Sequence, residues 1–298
     1  MTMRPILTLL FVLGAGFAAA QSPIDQTRAV NADARIEIAN IKGSVTVTSW
    51  DRAEVAISGT LGSGAKGLTV EGDAGRLRIK VEAPERGWFN WGADTRMGDT
   101  TLELKVPQAA ALAIDTVSAD VSVASVAGKE LEIDTVSGKL RLDSGAERVD
   151  IDSVSGDIEL NGKARKAQLQ TVSGNIRTRG LGGEISLETV SGDIDADSSG
   201  YGELDVQTVS GDINLRGAPA DRANAKIETM SGDVRLTLPD AVSARLRASS
   251  FSGRIRSDFA AGSGSSGVGE KRWEAVLGAG AAQIRLETFS GDIEIRKP

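Results

Sequence analysis

Leu131-Glu132-Ile133-Asp134-Thr135-Val136-Ser137-Gly138-Lys139-Leu140-Arg141-Leu142 is answered eighteen positions on by Val149-Asp150-Ile151-Asp152-Ser153-Val154-Ser155-Gly156-Asp157-Ile158-Glu159-Leu160. Counted from the Thr or its Ser equivalent, apolar residues stand four and two before it and one, five and seven after it. Each half alternates with period two, the mark of a short strand buried on one face. The halves are out of phase, so the alternation must break once. Placing the break at Asp134-Thr135 turns Val136 inward and makes that point a corner of a coiled chain.

The phrase spreads outward in both directions. It recurs at Thr171-Val172-Ser173-Gly174, Thr189-Val190-Ser191-Gly192, Thr208-Val209-Ser210-Gly211, Thr229-Met230-Ser231-Gly232, Ser250-Phe251-Ser252-Gly253 and Thr288-Phe289-Ser290-Gly291, with an earlier copy, Thr116-Val117-Ser118-Ala119. The steps between first residues are 19, 18, 18, 18, 19, 21, 21 and 38, the last being two coils or one coil with an insertion. A period in this range signals a repeat fold. One coil cannot bury its apolar side, but stacked coils share a continuous core, with strands about 4.8 Å apart. The expected class is all-β: a single-stranded parallel β-helix, or β-solenoid, with coils of about 18–21 residues. Eight to ten such coils would make a rod roughly 40 Å long. Right-handed winding is expected, because parallel crossovers overwhelmingly take that hand.

Before the repeat, Arg4, the apolar run Ile6 to Phe17 and Ala18-Ala19-Ala20 read as a secretory signal peptide over residues 1–20. The run is shorter than the roughly 20 apolar residues of a membrane helix. The expected mature chain is one β-solenoid domain over residues 21–298. It has irregular coils over about 30–110, regular repeats over about 111–260, a Gly/Ser loop at 261–270 and a final coil at about 283–298 that caps the stack. Ile36, Ile38, Ile41, Gly43, Val45 and Val47 already carry the coil pattern, whereas a separate small β-domain is the alternative for Thr48 to Pro107.

The inventory removes whole classes of chemistry. With no His and no Cys, there can be no Ser-His-Asp triad, Cys-His dyad or disulfide framework, and the usual zinc ligands are missing. The formal charge of −7 disfavours nucleic acid as a partner. No cofactor is expected.

The Thr-Val-Ser-Gly-Asp-Ile coils, behind a signal-like segment and preceded by Gly43-Ser44-Val45-Thr46-Val47-Thr48-Ser49-Trp50-Asp51, resemble the bacterial putative-adhesin family of domains of unknown function. The resemblance implies a β-solenoid at the cell envelope and brings no catalytic residues. Lys139, Asn175 and Arg254 depart from the Asp after the Gly, and Ala119 departs from the Gly itself.

Two acidic columns follow from the period. Asp157, Asp193, Asp212, Asp233 and Asp292 stand after the Gly. They suit a turn in which Gly takes an unusual backbone conformation, or else a bridging Ca²⁺. Asp134, Asp152, Glu188, Glu228 and Glu287 stand before the Thr and read as a solvated face, since a unique site should break the period. The Ser column from Ser118 to Ser290 has no base beside it and reads as a hydrogen-bonded turn ladder. Where the repeat fails, Trp88, Phe89 and Trp91 sit within four positions. They form either a cap over an open coil or a docking loop for a protein, a glycan or a membrane surface.

The functional expectation is a non-enzyme: an exported interaction or structural module of the envelope, adhesin-like, in the periplasm or at the cell surface, with an envelope component or protein as partner. Two alternatives remain, a polysaccharide-active β-helix enzyme and a regulator of envelope-stress signalling.

Overall fold

The alternation of apolar and polar residues becomes strand nearly everywhere. The computed structural model describes residues 22–83, 97–259, 263–265 and 271–298. The strands are β1 Ser22–Ala29, β2 Arg35–Trp50, β3 Glu54–Leu61, β4 Gly67–Gly72, β5 Arg76–Glu82, β6 Thr100–Pro107, β7 Ala111–Val126, β8 Glu130–Ser137, β9 Leu140–Ser144, β10 Arg148–Ser155 and β11 Ile158–Gly162. They continue as β12 Lys166–Ser173, β13 Ile176–Ser191, β14 Ile194–Ser210, β15 Ile213–Ser231, β16 Val234–Thr237, β17 Ala244–Ser250, β18 Ile255–Ser257, β19 Ser263–Ser265, β20 Lys271–Leu277, β21 Ala282–Ser290 and β22 Ile293–Arg296. No helix occurs among the described residues. The signal-like segment lies outside them.

Successive coils stack in parallel and in register. Leu131, Ile133 and Thr135 face Val149, Ile151 and Ser153, which in turn face Ala167, Leu169 and Thr171. The stretch after the corner forms a second ladder, in which Leu140 and Leu142 face Ile158 and Leu160, and these face Ile176 and Thr178. Between the ladders lies one continuous core of buried Ile, Leu, Val and Ala running from Ile24 to Ile295. At ~1.5–3 kcal/mol for each large side chain fully buried, these columns are the main drive opposing chain entropy.

Chain order and stacking order part company at both ends. The first ladder runs β5, β2, β7, β8, β10, β12, β13, β14, β15, β21, β17, which makes eleven parallel strands where eight to ten coils were expected. Thus β2 is slotted between β5/β6 and β7, and the last coil, β21/β22, is slotted between β15/β16 and β17/β18. The 38-residue step is therefore an excursion out to the end coil and back, and the final coil is not the cap. Antiparallel strands cover the outer edges instead: β4 on β5, β3 and then β1 on β6, and β20 and then β19 on β17. Covering an edge this way leaves fewer unpaired N–H and C=O groups as a template for aggregation.

The corner also differs from expectation. Thr116, Thr135, Thr171, Thr189, Thr208, Thr229 and Thr288 are buried, and the residue after each is exposed. The inward phase therefore runs through the Thr, and the break falls after it, within Val-Ser-Gly. Glycine is needed there chiefly for close approach. A Cβ added at Gly174, Gly192 or Gly211 would lie 2.1, 2.0 or 1.9 Å from the carbonyl oxygen of the glycine one coil below. Gly138 does adopt the left-handed side of backbone space, at φ 131°, whereas Gly156, Gly174, Gly192 and Gly211 do not.

Candidate functional site

Turning the phrase Val outward builds a surface feature that the inward reading missed. Val117, Val136, Val154, Val172, Val190, Val209, Met230, Phe289 and Phe251 form one exposed apolar ladder along the stack, in that spatial order. The side chains grow toward the C-terminal end, where Met230, Phe289 and Phe251 are 61%, 57% and 50% exposed. There the two phenyl rings stack, with centroids 4.9 Å apart and planes 5° from parallel. Exposed apolar surface this continuous marks an interaction site more often than chance.

On the other side of the buried Thr column stand the residues before it. In register these are Asp115, Asp134, Asp152, Gln170, Glu188, Gln207, Glu228, Glu287 and Ser249. Ladder, Thr floor and acidic column together make a groove along the stack. It deepens at three places, lined around Thr135, around Thr189 and around Thr229 and Thr288. The largest of these, about 510 Å³, lies between Glu228 and Glu287 on one wall and Met230, Phe289 and Phe251 on the other. None of the three stretches is lined by Lys or Arg.

The floor is held by hydroxyls. Thr189 Oγ1 donates to the Gly174 carbonyl at 3.2 Å, Thr288 Oγ1 to Gly232 at 3.2 Å and Ser250 Oγ to Gly291 at 3.0 Å. Thr171, Thr208 and Thr229 do the same at 3.4 Å. Ser153 is the exception: 7% exposed, it lines two stretches of the groove, and its Oγ has no hydrogen-bond partner. The ladder expected of the Ser column thus belongs mainly to the Thr column: Ser137 Oγ does donate to the Val117 carbonyl at 3.2 Å, but Ser118, Ser155, Ser173, Ser191, Ser210, Ser231, Ser252 and Ser290 are exposed.

The acidic wall is electrostatically strained at its N-terminal end. Desolvation first, and then the neighbouring carboxylates Asp115 and Asp152, push the Asp134 carboxyl above the usual aspartate range; Asp115 and Asp152 are raised too, again chiefly by desolvation. Stacked carboxylates with no cation between them resist ionising together.

The second acidic column has a different occupation. Asp157 Oδ1 accepts the Asn175 N–H at 2.9 Å, Asn175 Oδ1 that of Asp193, Asp193 that of Asp212, Asp212 that of Asp233, Asp233 that of Asp292, and Asp292 that of Arg254, all within 2.8–2.9 Å. Each carboxylate or amide caps the backbone of the coil above. Asn175 can therefore replace Asp, since an amide oxygen accepts equally well. Arg254 can stand at the last position because it lies on the end coil, where no further N–H waits. Arg254 also returns its guanidinium to Asp292 at 3.0 Å. Among the described residues, no group of three or more Asp or Glu converges as a metal site.

Trp88, Phe89 and Trp91 lie outside the described residues. Trp50 behaves as a packing residue: its Nε1 donates to the Glu54 carbonyl at 2.8 Å, and the Arg52 guanidinium sits 5.0 Å from its ring centroid.

Comparison with known proteins places this geometry in a family. No curated protein matches. Among solved structures, a putative adhesin from Bacteroides fragilis is 11% identical, covering 94% of this chain and 98% of its own, with a TM-score of 0.48. A putative adhesin from Parabacteroides distasonis is 13% identical over 92% and 97%, also at 0.48, and a putative lipid binding protein from the same species is 14% identical over 93% and 96%, at 0.37. At these TM-scores the likenesses carry no further argument. The family model described as Toastrack DUF4097 matches residues 34–220 and again 198–296, and the repeated phrase, the stacked coils and that match together make this chain a member of the Toastrack DUF4097 family.

Proposed function

We propose that this chain is an exported, non-catalytic, adhesin-like interaction module of the cell envelope, and that the groove beside the Thr column is its docking surface. On this reading, residues 1–20 are removed as a signal peptide, residues 21–298 form one right-handed solenoid, and the protein works in the periplasm or at the cell surface. The observation that carries the proposal is the unbroken exposed ladder from Val117 to Phe251. A repeat protein that needed only a core would gain solubility from polar residues there. A β-helix enzyme acting on an acidic polysaccharide would want one cluster of carboxylates and cations that breaks the period, whereas the polar wall of the groove recurs once per coil, with Glu228 and Glu287 paired to Lys226 and Arg285.

The test is capture from a solubilised envelope fraction. Mature protein is compared with a Met230→Ser, Phe251→Ser, Phe289→Ser variant and with a Trp88→Ala, Phe89→Ala, Trp91→Ala variant, each first shown to melt like the parent. Loss of capture in the groove variant alone supports the groove. Loss in the aromatic variant alone transfers the docking role to residues 88–91, and equal capture by all three removes both.

A further inference from the structure

Resting on that reading of the groove, we infer that its occupant is a cationic amphipathic helix of a partner polypeptide, laid along the stack with its apolar stripe on the Val–Met–Phe ladder and its Lys or Arg side chains over the acidic column.

The charge pattern selects the partner's sign. Asp115, Asp134, Asp152 and Glu188 face the groove with no lining Lys or Arg, whereas Glu228 and Glu287, at the other end, already pair with Lys226 and Arg285. Burial first, and then repulsion from Asp115 and Asp152, disfavours ionisation of Asp134, and a partner ammonium or guanidinium would offset the repulsion. Anionic lipid or an acidic glycan would add to the repulsion. A second copy of this chain, laid groove to groove, would bring acidic column against acidic column. The unpartnered Ser153 hydroxyl on the floor is a buried polar group at the same surface still lacking its bond.

Geometry selects the secondary structure. Ladder side chains repeat once per coil, about 4.8 Å. An amphipathic helix presents one apolar residue per turn, about 5.4 Å, so it drifts only about half an ångström per coil and keeps step for several coils. An extended strand presents same-face residues every ~6.8 Å and falls out of step at once. The deepest stretch, at Phe251 and Phe289, is where the largest apolar anchor of the helix would seat.

The test uses labelled helical peptides of about five turns: one with a Leu/Phe stripe flanked by Lys, one with Glu at every Lys position, and one of the Lys composition scrambled to lose the stripe. Anisotropy titrations at ionic strengths of about 0.01 and 0.15 M are run against the mature chain, an Asp152→Asn, Glu188→Gln variant and a Phe251→Ser, Phe289→Ser variant, all first shown to be folded. The Lys-striped peptide should bind at least about tenfold more tightly than either control. The Asp152→Asn, Glu188→Gln variant should weaken binding and flatten its salt dependence, and the Ser variant should weaken it about tenfold at both salts.

Equal binding of the striped and scrambled peptides, or indifference to both variants, overturns the inference. So does a concentration-dependent dimer, seen by sedimentation, that the Phe251→Ser, Phe289→Ser variant abolishes, because the occupant is then a second copy. If no peptide binds while groove substitution still abolishes envelope capture, the ligand class is wrong and the docking surface stands. If groove substitution leaves capture intact as well, both fall.

Discussion

The Asp233 carboxylate accepts the backbone N–H of Asp292 at 2.8 Å, across fifty-nine residues of sequence. That bond continues a column whose earlier members are 18–21 residues apart, and it marks where the last coil has been slotted into the stack. Asp233→Ala removes the acceptor and should cost about 1 kcal/mol, while Asp233→Asn, copying Asn175, should cost a small fraction of that. Urea melts of the two variants, compared at constant m-value, measure the difference.

Close packing of glycine backbones predicts a sharper penalty. Gly192→Ala places a methyl 2.0 Å from the Gly174 oxygen, and overpacking of this kind costs ~1–3 kcal/mol. Gly67→Ala, where nothing lies within 4 Å, should change stability little. A thermal melt separates the two outcomes.

The acidic wall makes stability depend on pH with a definite sign. Asp134 is held above its ordinary value of 3.8, first by desolvation and then by Asp115 and Asp152. The folded state therefore binds its proton more tightly than the unfolded chain does. That contribution is fully present below the ordinary value and is lost as pH rises through the window just above it. Asp134→Asn should remove this part of the decline and raise stability at neutral pH. Asp292, lowered chiefly by the Arg254 N–H, acts in the opposite sense, so Asp292→Asn should weaken the pH dependence on the acid side. Denaturation midpoints for both variants, followed from pH 3 upward, test the two signs (the starting pH being about one unit below the ordinary carboxylate range).

Tyr201 is the one tyrosine, buried to 2% exposure with its hydroxyl unpartnered, where the β13–β14 and β14–β15 registers slip. Burial pushes its phenol far above the ordinary range. Tyr201→Phe removes an unsatisfied buried group and should stabilise by about 1 kcal/mol. In the parent, tyrosinate absorbance should appear only when alkali unfolds the chain.

Much of this was legible in the period. Leu131, Ile133, Leu140 and Leu142 announced buried strands, and the phrase spacing announced coils, because a core column must repeat with its backbone. The identity of the corner column was not legible. Thr171 and Val172 compete for one inward place, and alternation alone favours the more apolar residue. What decides for Thr is the carbonyl its hydroxyl can reach one coil below, a contact between residues some fifteen to eighteen positions apart. One signal was present and went unused: the residue after the Thr swells from Val209 to Met230 to Phe251 and Phe289, a drift that a uniform core column could not absorb. Stacking order was hidden for a related reason. Identical phrases can pair with one another in any sequence, and only the strands at the ends, β5 and β17, declare which coil lies outermost.

Slotting the last coil beneath the one made before it has a consequence for how the chain reaches its native state. As β17/β18 leave the ribosome, the next free edge is that of β15/β16, and their phrase matches it. The completed molecule has β21/β22 in that berth. Either β17/β18 wait undocked until β21/β22 arrive, or they dock early and must be displaced.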